Sequence, residues 1–310
     1  SVRAALLAAV VAIFALLNPA FVNAASMLSV LQGMVFTGIA AVFLTILITS
    51  GEFDISIGAN AALSGTLAAQ FVTGGAGIED DRSPWLGLLV GLLVGLVIGL
   101  INAFVVLVGN IPSFIATISM LFIAKSLATY LPGGKPISGY RDSWEAQGID
   151  FREIFFLSNF SIIVFVCMIV VGHVFLKRTH AGVVVASIGS NKDAAQTSGV
   201  RVKSVKTILF ALTGAGAGLA GAVSVLHFGS IYFALGSGWE LTAIAAIVLG
   251  GTSLFGGKGS ILGMVFGLTL IQTVASGMVA VGIDPWWQTV ITGGIVLGTL
   301  ALEQLRRKVT

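Results

Sequence analysis

Ten apolar stretches, separated by glycine, proline or charge, run through the chain and leave few folds open. They cover residues 4–17, 29–50, 59–73, 85–108, 112–131, 159–176, 206–228, 240–255, 260–282 and 286–302. A helix needs about 20 mostly apolar residues to cross the hydrocarbon core of a bilayer, within a range near 17–25. Residues 59–73 and 240–255 are short and glycine-flanked. They read as broken helices, tolerable at membrane depth only against protein. Composition closes the soluble alternative. Charged residues are 9% and apolar residues 56% of 310, where a soluble chain carries about 25% charge. The 40 glycines suit helices that approach closely in lipid. The expected fold is an all-α membrane protein, a single transmembrane domain over residues 1–310. Residues 4–17 read as a first span rather than a leader, because no small-residue cleavage site leads into a soluble domain.

Orientation follows from the basic residues. Lys177, Arg178, Lys192, Arg201, Lys203 and Lys206 stand against Asp193 in the loop 177–206. Arg306, Arg307 and Lys308 stand against Glu303 in the tail. Both stretches should be cytoplasmic, and the four apolar segments between them satisfy parity. Loops 74–84 and 132–158 then lie outside, Arg3 lies inside, and both termini are cytoplasmic. The net charge of +3 is thus a topology signal, not the footprint of a nucleic acid.

An internal repeat is visible. Segment two ends in Gly51-Glu52-Phe53-Asp54 and segment seven near Gly236-Ser237-Gly238-Trp239-Glu240, each before a short apolar segment. A glycine-rich span follows in each half, and Pro112 or Pro285 opens the next. The halves start on opposite sides, so the expected architecture is two inverted repeats, a transporter signature when helices are interrupted.

Several motifs have packing readings. Gly216–Gly221 matches G-x-G-x-x-G but lies within a span, without the strand a dinucleotide site requires. Gly87, Gly91, Gly95 and Gly99 form a stripe fit for a neighbouring helix. Gly256-Gly257-Lys258-Gly259 lacks the spacing and hydroxyl of a phosphate loop, so Lys258 reads as a cytoplasmic-side anchor or a contact to lipid phosphate. Cys167 reads as a small core hydrophobe. His173, His180 and His227 have no ligand spacing, so no metal site or intramembrane enzyme is expected.

Few charges lie in or near the spans: Glu52, Asp54, Lys125, Glu240, Lys258 and Asp284. An ionisable group at membrane depth is a functional candidate. Lys125 can snorkel to the outer surface, and Asp284 can cap the helix that Pro285 opens. Asp54 and Glu240 sit beside the breaks, where a carboxylate can accept free helix-start N–H groups. Capping is weighed there against a role in the gate or pathway. In the cytoplasmic loop, Ser190 or Asn191 can cap a short helix, Asp193 suits its first turn and Gly199 ends it. Such a helix can dock a partner or serve as a connector.

Gly51–Gly58 (GEFDISIG), Phe114-Ile115-Ala116-Thr117, Gly189–Gly199 and Glu240–Gly259 together resemble the permease subunits of ribose/galactoside-class ABC importers. One departure is in GEFDISIG, where a small or aliphatic residue is more common at the position of Glu52 or Phe53. The resemblance implies a multi-pass subunit of the bacterial inner membrane that moves a pentose or hexose inward. It would pair with a second permease subunit, as homo- or heterodimer. It would sit on two ATPase subunits that bind ATP and Mg, and receive cargo from a periplasmic sugar-binding protein. The chain itself would be no enzyme and hold no cofactor. Residues 190–199 would be the coupling helix, with Ser190, Asn191, Asp193, Ala194, Ala195 and Gly199 as coupling candidates. Asp54, Ser56, Gly58, Trp239 and Glu240 are the gate or pathway candidates. The alternatives are an ion-coupled secondary transporter and a permease of the same class for an autoinducer or nucleoside.

Overall fold

The computed structural model describes residues 2–74, 83–140, 145, 159–232, 234–284 and scattered positions within 286–298. Eleven α-helices are described: α1 (Val2–Leu17), α2 (Ala24–Thr49), α3 (Ile57–Val72), α4 (Pro84–Leu107), α5 (Ser113–Tyr130), α6 (Phe160–Arg178), α7 (His180–Ser190), α8 (Lys192–Thr197), α9 (Val202–Phe228), α10 (Trp239–Leu249) and α11 (Ile261–Ala280). Six of these, α2, α4, α5, α6, α9 and α11, are long and apolar enough to cross a bilayer. Among the described residues β-pairing is limited to one antiparallel bridge, Ile137 with Ile231. Most of the tenth apolar stretch, the basic tail with Arg306–Lys308, and the acidic Glu79–Asp81 lie outside the described residues.

Helix starts follow local chemistry. The side chains of Asn23, Thr179, Asn191 and Ser260 accept the N–H groups of Ser26, Gly182, Ala194 and Gly263, opening α2, α7, α8 and α11. The Asn23 cap starts α2 before residue 29. Likewise α9 begins at Val202, which takes Lys206 out of the loop and into the helix, where it is buried. The segment 240–255 is helical only to Leu249, after which Gly250 and Gly251 turn the chain. α7 is an additional element within the basic loop, its apolar Val185 and Ile188 buried.

α2 and α9 form the centre: 78% of the most apolar 18-residue stretch of each is buried, against 28% for α5 and 22% for α6. The two glycine motifs meet here. Gly91, Gly95 and Gly99 of α4 face Gly214, Gly218 and Phe210 of α9 so closely that a Cβ on Gly95 or Gly99 would collide with α9 backbone. The remaining glycines of the Gly216–Gly221 run serve other neighbours, Gly216 against Phe43 of α2 and Gly221 against the Ala61 backbone of α3. Small residues thus replace the hydrophobic effect, which cannot drive helices together within lipid. Asn60 of α3 locks the three-helix contact by donating to the Gly95 and Gly214 carbonyls. Cys167, expected in the core, is exposed on α6, because that helix buries little of its surface.

The loops sort to two ends. Gly257 N–H donates to the Thr49 carbonyl at 2.9 Å, and Gly189 packs on both residues. Lys206 and Asn110 line a recess at this same end. Ile137, Tyr140, Ile231 and Val72 gather at the other. α9 runs from one to the other over 27 residues, about 40 Å.

Candidate functional site

The break between α2 and α3 turns back into the protein. α2 stops at Thr49, beside Gly257, yet Asn60 in the first turn of α3 already lies level with Gly214, 12 residues into α9. The N–H groups of residues 50–52 still close on α2 carbonyls, but residues 53–56 must climb through the apolar layer without helical hydrogen bonds. Side chains of α5 supply the missing acceptors: Ser113 Oγ takes the Phe53 N–H at 3.2 Å and Thr117 Oγ1 the Ile55 N–H at 3.1 Å. Backbone left unpaired at this depth would be costly.

Asp54 and Ser56 complete the brace. Asp54 is 1% exposed and its Oδ1 accepts the Ser56 N–H at 2.8 Å and the Ser56 hydroxyl at 2.6 Å. Asn102 of α4 donates to Asp54 Oδ2 at 3.2 Å and to Ser56 Oγ at 3.0 Å. The carboxylate thus takes the N–H of the cap residue itself rather than those of the first helical turn. Ser56 spends its hydroxyl on Asp54 and makes no side-chain cap to α3.

The break between α9 and α10 enters from the opposite end. Gly229, Gly236 and Gly238 have φ of 70°, 74° and 83°, conformations that a side chain disfavours. α10 then starts at Trp239 with Glu240 in its first turn. Gly58 packs directly on the Gly236 carbonyl, and a Cβ on Gly58 would lie 2.8 Å from Glu240 Oε2. The starts of α3 and α10 therefore meet inside the protein. From there α3 runs to the Tyr140 end, and α10 runs to the turn before Ser260. Trp239 stacks on Phe36 of α2, with centroids 6.4 Å apart and planes at 9°. Glu240 also shares a recess of about 50 Å³ with Lys125, Ala59, Ala62 and Ser237. Lys125, expected to reach the outer surface, is directed at this junction.

At the Thr49 end, α8 lies against its own chain. Ala195 is buried with Ile188 and Val202, whereas Asn191, Asp193, Ala194 and Gly199 are exposed and Ser190 borders Gly257. Of the coupling candidates Ala195 thus anchors the helix, and Asp193 and Ala194 face outward. One turn into α9, Lys206 Nζ pairs with Glu52 Oε1 at 2.5 Å, with only 6% and 15% of the two side chains exposed. A recess of about 250 Å³ beside this pair is lined by Asn110, Lys192 and Lys203.

Structure thus brings Asp54 and Ser56 into one buried cluster, and Gly58, Trp239 and Glu240 into another at the meeting of the half-helices. Asn60, Asn102, Ser113, Thr117 and Lys206 were missed as members. The available signal was Asn102, the one amide within the otherwise apolar span 85–108.

Residues 26–300 match the model of the family described as "Branched-chain amino acid transport system / permease component". The chain is 34% identical to the ribose import permease protein of Bacillus subtilis (strain 168) over 294 residues, covering 95% of this chain and 89% of that protein. It is 31% identical to the D-allose transport system permease protein of Escherichia coli (strain K12), covering 98% of this chain and 91% of that protein. It is 30% identical to the fructose import permease protein of Rhizobium meliloti, covering 98% and 84%. No solved structure matches the chain.

Proposed function

Because the chain belongs to the family of branched-chain amino acid transport system permease components, we propose that it is the membrane-spanning subunit of an ATP-binding-cassette importer whose cargo is a monosaccharide, a pentose or hexose. The meeting of two half-helix starts inside the protein, one from each end, carries the transport reading. Such junctions form binding sites accessible in turn from either side when the halves rock. The sugar reading rests on the relatives named for ribose, fructose and D-allose, not on the amino-acid wording of the family description.

Two partner ATPases supply the energy, and α8 is the element that meets them. Movement of α8 reaches the gate through contacts of this chain. Ala195 packs on Val202, Lys206 one turn later holds Glu52, and Glu52 opens the segment that ends at Ser56 and α3. The Thr49 end, with its basic recess, is cytoplasmic under the positive-inside rule. The opposite end faces a periplasmic sugar-binding protein, a second permease subunit completes the path, and the membrane is the bacterial inner one.

Proteoliposomes containing the assembled transporter test this reading. ATP-dependent uptake of labelled ribose, fructose or allose is expected. Uptake of leucine alone would sink the sugar assignment, and accumulation by this chain alone under an ion gradient would establish the secondary-transporter reading. Ala194→Trp, on the exposed face of α8, should uncouple ATP hydrolysis from uptake without loss of folded protein. Normal coupling would reduce α8 to a connector.

A further inference from the structure

Lys125 lies 12 residues beyond the start of α5 and five before its end at Tyr130, about 18 and 8 Å along the helix axis. It is the single charged residue of that helix and it is exposed on the body of the protein. Its neighbours along α5, Phe114, Ile115, Phe122 and Ile123, are exposed and apolar. An ammonium group within the apolar layer either snorkels to the surface or faces protein or water-filled space.

The recess beside it shows which. Lys125 shares it with Glu240 and with the backbone of Gly236, Ser237 and Gly238, at the point where α3 and α10 begin. Among the described residues the ion pair is Lys206 with Glu52, so Lys125 and Glu240 stand apart by more than ion-pair distance. The recess of about 50 Å³ has room for about one or two waters. A cation and an anion across a small wet gap can exchange that water for hydroxyl groups. The ammonium only donates and the carboxylate only accepts, whereas a sugar hydroxyl does both. Hydrogen bonds to charged groups are also the stronger kind.

We propose that Lys125 and Glu240 form a sugar-hydroxyl contact on the translocation path, with Lys125 setting preference among monosaccharides. This rests on the importer reading above and assigns Glu240 a role beyond capping. The exposed face of α5 around Lys125 is then a wall of the path, and the recess widens when the starts of α3 and α10 part.

Two measurements on the reconstituted transporter decide it. Lys125→Cys and, as control, Val170→Cys on the exposed face of α6 are made in a Cys167→Ser background. A small charged methanethiosulfonate reagent should modify Cys at 125 at least tenfold faster than at 170, and excess sugar should slow it. Lys125→Met should shift the relative uptake rates of ribose, fructose and allose at least fivefold while Lys125→Arg retains the wild-type order. Equal reactivity at the two positions, or unchanged preference in Lys125→Met, overturns the proposal. Failure of the importer reading shows separately, as absence of ATP-dependent sugar uptake by the unmodified transporter. The reactivity ratio needs no uptake and reports the path in either case.

Discussion

The two breaks do the same geometric job with opposite materials. Between α2 and α3 the chain is held by side chains from three other helices: Ser113 and Thr117 of α5, Asn102 of α4 and Lys206 of α9. Between α9 and α10 the described residues are held by the two-bond backbone bridge of Ile231 with Ile137 and, from there to α10, by their own turns, Leu235 N–H to Tyr232, Ser237 to Ala234 and Trp239 to Gly236, around glycines at positive φ. Asp54 and Ser56 are buried, while Ala234 and Ser237 are exposed. Local opening is cheapest where buried contacts are few. The first break is thus braced by side chains of other helices, and the stretch 232–238 of the second is the less braced and more compliant one.

The largest effect should come from the ion pair at the foot of the braced segment. Lys206→Ala leaves the half-buried Glu52 carboxylate without its partner beside the recess, at about 3 kcal/mol, the low end of the cost of breaking a buried pair. The purified transporter should melt markedly lower, and Glu52→Leu combined with Lys206→Leu should recover most of that loss. Equal melting of Lys206→Ala and the wild type would remove the brace from the comparison. Next is Asp54→Ala, which strands the Ser56 N–H and an Asn102 amide proton at about 1–3 kcal/mol each. Uptake should fall severely while the protein still inserts, and an intact uptake rate would show that the segment needs no anchor.

Gly58→Ala probes the contact between the two regions. Its Cβ collides with the Gly236 backbone, an overpacking cost of about 1–3 kcal/mol that parting α3 from α10 relieves. Reactivity of a cysteine at Ser237 should therefore rise in this variant. Unchanged reactivity would mean that the junction absorbs the methyl group without opening. The smallest effect belongs to the compliant break. Gly238 has φ 83° and open space around it, so Gly238→Ala costs only the left-handed backbone penalty, about 1–2 kcal/mol. Slowed uptake at nearly unchanged melting temperature is expected. A loss as severe as that of Asp54→Ala would erase the distinction between the breaks.

Much of this architecture was legible in advance, for identifiable reasons. Span periodicity is a solvent requirement written locally, so nine of the ten apolar stretches correspond to described helices. The glycine stripe announced the close approach of α9 at Gly91, Gly95 and Gly99, whereas Gly87 meets the side chains of Tyr140 and Val72 instead. The short helix after Asn191 was marked by its cap and by Gly199, at φ 86°. α7 was passed over because its apolar Val183–Val185 run sits within the basic loop and is too short to resemble a span.

Partnership was the part that stayed out of reach. Asp54 and Glu240 stood out as charges beside breaks, yet nothing local said that one would be enclosed by Asn102 and the other set against Gly58 and Lys125. Lys206 counted only as a basic residue of a loop until α9 carried it onto Glu52, 154 positions away. The sequence by itself determined that the chain enters a membrane as helices and where two of them break, because lipid tests each segment for apolar length and satisfied backbone. Only the tertiary structure decided which polar groups answer one another. In an apolar medium, those pairings depend on which helix faces close on each other, and that is a property of the whole bundle.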